Sequence, residues 1–220
     1  LLARVLSSRG VLNADDLDHS LKGLLAPDSF LGIGEAATIL ADALESDSSI
    51  LIVGDFDADG ATSCTLMVTA LRAIGARQVN YLVPDRFKFG YGLTPEIVDV
   101  AVQFKPAVIV TVDNGIASVE GVAHANTLGI SVVVTDHHLP GRELPAAAAI
   151  VNPNQAGCEF PSKSLAGVGV AFYLLSVLRT ELRSRDWFAH HPEINLASFL
   201  DLVALGTVAD VVPMDQNNRR

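Results

Sequence analysis

The sequence predicts an α/β fold: a doubly wound, mainly parallel sheet flanked by helices, with a helical N-terminal segment and a helical C-terminal part. Three observations predict it. From Ile50 onward, short apolar runs of strand length alternate with stretches of helical periodicity, the order that builds a parallel sheet with right-handed crossovers. Hydrophobic residues make up 50% of the 220, and mean hydropathy is +0.37, as expected of strands buried on both faces. No apolar run approaches the roughly 18 uninterrupted residues that a membrane span needs, so this excess belongs to a core and no membrane partner is expected.

Residues 1–48 read as helical, and residues 49–220 as the main domain. "ADDLDHSLKGLL" and "GEAATILADALES" carry apolar residues at three-to-four spacing, separated by the breaker-rich "APDSFLGIG". "ILIV" is a strand, "ATSCTLMVTALRAIG" a helix, "VNYLV" a short strand and "PDRFKFGYGL" a polar loop. Thr94 and Pro95 mark a helix start, cap and first turn, leading into "PEIVDVAVQF". Strand "AVIVTV" then runs into "DNG", followed by a helix from about Ser118 to Leu128 and strand "ISVVVT", which ends in "DHHLPG". "AGVGVAFYLLSVLRTELRS" and "LASFLDLVALGTVAD" are helices, joined across the surface by "SRDWFAHHPEIN".

The polar residues gather at one place. Asp55, Asp113 and Asp136 each directly follow the apolar run of a separate strand, on the edge where open α/β sheets bind ligands. Asp55, Asp57 and Asp59 stand at alternate positions before a glycine, which also matches half of a calcium-binding loop. That reading fails because Leu66 stands where the closing glutamate should be, and because a strand, not a helix, enters the loop.

With His137, His138 and Asp210, the set is one of hard oxygen ligands and imidazoles, suited to Mn²⁺ or Mg²⁺. So many carboxylates on one edge repel unless cations hold them. A pair of divalent ions about 3.5–4 Å apart removes the repulsion and suits in-line attack on phosphorus. The composition points to a metal-dependent phosphoesterase; a purely structural or calcium site is its rival.

The loop bearing Arg86 and Lys88 with Phe87, Phe89 and Tyr91 joins cations to aromatic faces, so Arg86 and Tyr91 are candidates for holding a phosphodiester strand. A plain surface loop is the alternative. The glycines of "LAGVGVAF" suit close helix packing better than anion binding at a helix start. His19, His124, His190 and His191 lack carboxylates nearby in sequence and read as solvated or structural. Cys64 and Trp187 read as packing residues.

A net charge of −10 and a pI near 4.9 argue against a nucleic-acid binder, an objection that bound divalent cations answer in part. Two cysteines make no disulfide framework, and a reducing cytoplasm is the expected compartment. "LLARVLSSRG" has no signal-peptide pattern and no initiating Met, so a piece of a longer protein is expected.

"DFDADG", "TVDNGI", "VVTDHHLPG" and "GTVADVVPM" resemble motifs I to IV of the DHH phosphoesterase superfamily, in the same order. "YLVPDRFKFGYGL", "NPN" and "FPSKSLAGVGVAF" resemble, within it, the RecJ family of single-stranded-DNA-specific 5′→3′ exonucleases. The resemblance implies that Asp57 and Asp59 serve different ions, that Asp113 bridges them, and that His137 and Asp210 complete the ligand set of the second ion. Some members place a histidine where this chain has Val53, which leaves Asp55 or water to complete the first ion. Asp136 would orient the histidine beside it, and His138 would face the scissile phosphate. The implied product is 5′-mononucleotides, the implied context recombination and repair, and the implied partners single-stranded DNA with a helicase or single-stranded-DNA-binding protein. Members continue into a second phosphoesterase subdomain and an OB-fold. The alternatives are a superfamily enzyme acting on short oligonucleotides or cyclic dinucleotides, and a degenerate scaffold, which would be expected to lack ligands.

Overall fold

The computed structural model describes residues 1–13, 15–18 and 20–220; His19 lies outside them. In chain order the elements are α1 (Leu2–Ser8), α2 (Ile33–Glu45), β1 (Ile50–Gly54), α3 (Ala58–Ile74), β2 (Val79–Leu82), α4 (Arg86–Phe89), α5 (Pro95–Ala101), β3 (Val108–Val112), α6 (Val119–Thr127), β4 (Ser131–Thr135), β5 (Ala149–Val151), α7 (Gly167–Ser184) and α8 (Leu200–Ala209), with short 3₁₀ turns between some of them.

The five strands form one parallel sheet in the order β2-β1-β3-β4-β5, the doubly wound architecture that the alternating pattern predicts. The chain leaves β1 toward β2 and returns to the other side of β1 with β3. The order therefore reverses between β1 and β3, and the crevice at their C-terminal ends is the natural ligand site of such a sheet.

Strand periodicity divides the core in two. Ile50 and Ile52 point into a layer with Leu40, Met67, Leu71 and Leu174, built on α2, α3 and α7. Leu51 and Val53 point the other way, against Ile97, Val98 and Val122 of α5 and α6. All residues of β1 and β3 are buried, which is why these strands read as continuous apolar runs and not as alternating ones. Asp57 caps α3 by accepting from Gly60 N at 2.9 Å, and Thr94 caps α5 through Ile97 N.

Three local expectations are corrected. The described residues of 14–25 form no α-helix; they make 3₁₀ turns at Asp15–Leu17 and Leu21–Gly23. Asp18 accepts from Ser20 N, an amide that a helix here would use, and Asp16 accepts from Leu12 N and Asn13 N just before the stretch. The loop 84–93 contains one helical turn, α4, capped by Asp85. The fifth strand, in the alanine-rich "AAAAIV", goes unpredicted because alanine carries little strand preference and only its pairing with β4 defines it.

The connection at 184–195 is anchored by Trp187, which donates Nε1–H to Ile74 O and stacks on His191. Among the described residues no single helix is long and apolar enough to cross a membrane; the pair Leu21–Ser29 and Ile33–Glu45 reaches that length only across a 92° bend.

Candidate metal centre

Asp55, Asp113 and Asp136 follow β1, β3 and β4, Asp59 lies in the first turn of α3, and Asp210 follows α8. Strand ends and helix ends thereby deliver carboxylates to one crevice. His137 Nε2 is their meeting point: it lies 3.1 Å from Asp113 Oδ1, 3.5 Å from Asp210 Oδ2 and 3.8 Å from Asp59 Oδ2.

Two sets of ligand atoms each gather within 4.8 Å, Asp59 with His137 and Asp210, and Asp55 with Asp57 and Asp113. A third set of the same span, Asp113 with His137 and His138, joins them, so Asp113 stands between the two. Asp113 Oδ1 and His137 Nε2 are buried, and neither makes a hydrogen bond despite their 3.1 Å separation. Leaving such atoms unpaired costs about 1–3 kcal/mol each. Neighbouring oxygen or nitrogen ligands on one octahedral cation, at about 2.1 Å, stand about 3 Å apart. The donor set and its spacing fit a divalent cation.

Asp113 reaches this place through a strained backbone. Its φ of +62° is in the left-handed region, which turns the chain sharply at the end of β3. The next residue, Asn114, is buried and donates Nδ2–H to Val53 O at 3.1 Å and Val112 O at 2.9 Å, tying the ends of β1 and β3 together. Sequence reasoning passed over Asn114; its signal is the turn chemistry of "DNG".

Asp59 is clamped from across the molecule. Its Oδ2 accepts from Gly167 N at 2.6 Å and its Oδ1 from Val168 N at 2.9 Å, both at the start of α7. The glycine-rich stretch therefore does bind an anion, the chain's own carboxylate. It also packs closely, as the sequence suggests, since a Cβ on Gly167 would lie 2.6 Å from Asp113 Cβ. Gly167→Ala is expected to cost about 1–3 kcal/mol of stability by overpacking. Urea unfolding measures it, and an unchanged midpoint would contradict the close approach.

Burial raises the carboxyls of Asp55 and Asp59, and burial followed by the charges of Asp59 and Asp57 pushes Asp113 up to about 10. Asp136 goes the other way. Burial acts to raise it, but the His138 hydrogen bond, with the backbone bond from Ile116 and the charge on His138, holds it below the ordinary range. Its Oδ1 accepts from His137 N (2.7 Å), His138 N (3.1 Å) and His138 Nδ1 (2.7 Å), and its Oδ2 from Ile116 N. The ring it orients is thus that of His138; it reaches His137 only through the backbone. The same bond raises His138, favouring the charged imidazolium.

A cleft of about 780 Å³ opens beside the centre, lined among others by Asp55, Asp57, Arg86, Tyr91, Asp136 and His138. Tyr91 places its hydroxyl 3.4 Å from His138 Nδ1, and the Arg86 guanidinium lies 4.0 Å from the centre of the Phe56 ring. Phe87 projects into solvent, 96% exposed, away from the cleft lining. His124 pairs with Asp99 at 2.8 Å on the surface, and Cys64 is buried, its thiol pushed up to about 11 by burial.

Residues 49–207 match the DHH family, N-terminal domain. The chain is 59% identical over 221 residues to the single-stranded-DNA-specific exonuclease RecJ of Salmonella typhimurium, covering 100% of this chain and 38% of that protein. RecJ of Thermus thermophilus is 36% identical, over 96% of this chain and 29% of its own length. A crystal structure of RecJ from Thermus thermophilus in complex with Mn²⁺ superposes with a TM-score of 0.78 at 33% identity, covering 97% of this chain and 29% of that one. A crystal structure of exonuclease RecJ bound to manganese superposes with a TM-score of 0.76 at 35% identity, covering 89% of this chain and 47% of that one. The chain thus spans well under half the length of the curated relatives it matches first. The four carboxylate and histidine motifs, the parallel sheet that carries them and the match over 49–207 together place this chain in the DHH family.

Proposed function

We propose that this chain carries the catalytic centre of a metal-dependent 5′→3′ exonuclease that hydrolyses single-stranded DNA to 5′-mononucleotides, in recombination and repair in the cytoplasm. Residues 49–220 would be its phosphoesterase domain and 1–48 a helical segment leading into it. The observation that carries the reading is the unpartnered pair Asp113 Oδ1 and His137 Nε2, set between two groups of carboxylates at the sheet's switch point. Support comes from the relatives that match along the chain, which are named as RecJ exonucleases, and from the RecJ structures of Thermus thermophilus in complex with Mn²⁺ and with Mg²⁺.

Asp59, His137 and Asp210 would hold one cation, Asp55 and Asp57 the other, and Asp113 both. Two bound cations supply Lewis-acid stabilisation of charge at phosphorus and neutralise the carboxylates. The side chains around them do the rest. Asp136 occupies His138 Nδ1, which leaves Nε2 of a charged ring to donate to a phosphate oxygen in the cleft. Arg86 adds positive charge to the cleft wall, and Tyr91 offers a face for a base. A nuclease restricted to single strands needs the duplex opened, so a helicase or a single-stranded-DNA-binding protein is the fitting partner.

The test is digestion of single-stranded oligonucleotides labelled at either end, with duplex and a cyclic dinucleotide as controls, in Mn²⁺ and in chelator. Mononucleotides released from the 5′ end of single strands, with Mn²⁺ only, are expected. Preference for the dinucleotide would favour the short-substrate reading, and internal cuts would overturn the exonuclease reading.

A further inference from the structure

We propose that Asn152 and Asn154, in the turn after β5, are positioning residues that set the two histidine rings of the centre. The inference rests on the reading of His137 as a metal ligand and His138 as a phosphate-facing group. β4 ends at Thr135, and Asp136 N makes the last ladder bond, to Val151 O. Beyond it the His137–His138 backbone has no strand partner. Its two N–H groups go to Asp136 Oδ1. Its two carbonyls are taken from the opposite side: Asn154 donates Nδ2–H to His137 O at 2.6 Å, and Asn152 donates Nδ2–H to His138 O at 2.9 Å. Three side chains satisfy all four backbone groups.

The two asparagines are linked, though each holds its own carbonyl. Asn152 is fully buried, and its Oδ1 accepts from Asn154 N at 2.7 Å. The proline between them is held in turn, because Lys163 Nζ donates to Pro153 O and to Cys158 O.

Such bracing answers a geometric problem. Side chains on adjacent residues diverge along an extended backbone, yet both rings must serve one site. Here their centroids are 4.4 Å apart with a 54° tilt, one ring turned to Asp113 and the other to Asp136 and the cleft. A peptide rotation of about 10° moves a ring nitrogen by about 1 Å, and misplacement of that size can cost about 10²-fold in rate. Of the segment's backbone, Asp136 restrains only the N–H side, besides holding the His138 ring. Both carbonyls require donors, which asparagine supplies and aspartate cannot.

The two amides should separate by function, because each holds a different histidine. Asn154→Ala is expected to weaken Mn²⁺ binding by about 10–100-fold, the usual loss when a group supporting a metal ligand is removed. Asn152→Ala is expected to lower kcat while Mn²⁺ affinity is retained. Calorimetric titration of the folded protein with Mn²⁺ reads the first, and steady-state hydrolysis the second.

Asn154→Ala placed on His137→Ala should weaken binding no further than His137→Ala alone, since the asparagine acts through that ring. Asn154→Ser, which keeps a donor, should recover part of the affinity and serves if the alanine variant does not fold. Lower melting temperatures with Mn²⁺ affinity unchanged in Asn154→Ala and Asn154→Ser would overturn the inference and leave the metal reading standing. A wild-type protein that binds no Mn²⁺ would remove both.

Discussion

Asp113→Asn is expected to abolish phosphodiester hydrolysis and, at the same time, to make the metal-free protein more stable. Removing a group that merely supports a metal ligand costs about 10–100-fold; a carboxylate standing between two ligand sets should cost more, about 10³-fold or beyond. Asp55 belongs to one set only and is partly exposed, so Asp55→Ala should lose less. The stability gain has a separate cause. Without a cation the Asp113 carboxyl, pushed up to about 10, must hold a proton at neutral pH that the unfolded chain has released. An amide of the same shape needs none, and its Nδ2 can be turned toward the unpartnered Nε2 of His137, 3.1 Å from the present Oδ1. Each kcal/mol relieved should raise Tm by about 2–4 °C in a domain of this size. Hydrolysis rates and melting curves in chelator measure the two effects. Equal small losses in the Asp113 and Asp55 variants would remove Asp113 from its central role, and a lower Tm for Asp113→Asn would contradict the account of its burial.

Chelation is expected to inactivate the protein and to lower its melting temperature, by an amount that grows with pH. Asp113 is raised in the folded state from an ordinary 3.8 to about 10, so between those values the folded metal-free chain binds a proton that the unfolded chain does not. Stability therefore falls as pH rises through that window, by up to about 1.4 kcal/mol per pH unit for one group, and levels off on either side. Asp59 and Asp55, raised by burial, act with the same sign. Asp136 acts oppositely: its lowered carboxyl contributes stability above the ordinary value that is lost as pH falls through its folded pKa. A bound cation takes the place of the proton and stabilises by mass action, about 2.7 kcal/mol at a hundred times Kd. Melting curves across about pH 5 to 9 should diverge between Mn²⁺ and chelator as pH rises. Parallel curves would show that the carboxylates do not exchange protons for metal.

Much of the fold was legible because its signals are local. Strands β1, β3 and β4 are each five residues long and buried almost throughout, and an aspartate directly follows each of them. Those runs, with the helices between them, were enough to predict a parallel sheet with carboxylates along one edge. The failures were local as well. At 14–25 the leucine spacing suggests a helix, while Asp18 draws off the amide of Ser20. β5 has only three residues and no strand-forming composition before Ile150.

The sequence by itself determined the ligand types, their order and the strands that deliver them, since hydropathy and turn chemistry act over a few residues. Only the tertiary structure decided how those groups face one another. Asp59 is held by amides 108 and 109 residues away, His138 rather than His137 is the ring partner of Asp136, and Asn152 and Asn154 brace a backbone that the pattern leaves unsupported. It also decided the charge state of the site. Asp113 is raised and Asp136 lowered because desolvation and hydrogen bonding depend on what surrounds a carboxylate in space, and chain neighbours supply only part of that surrounding.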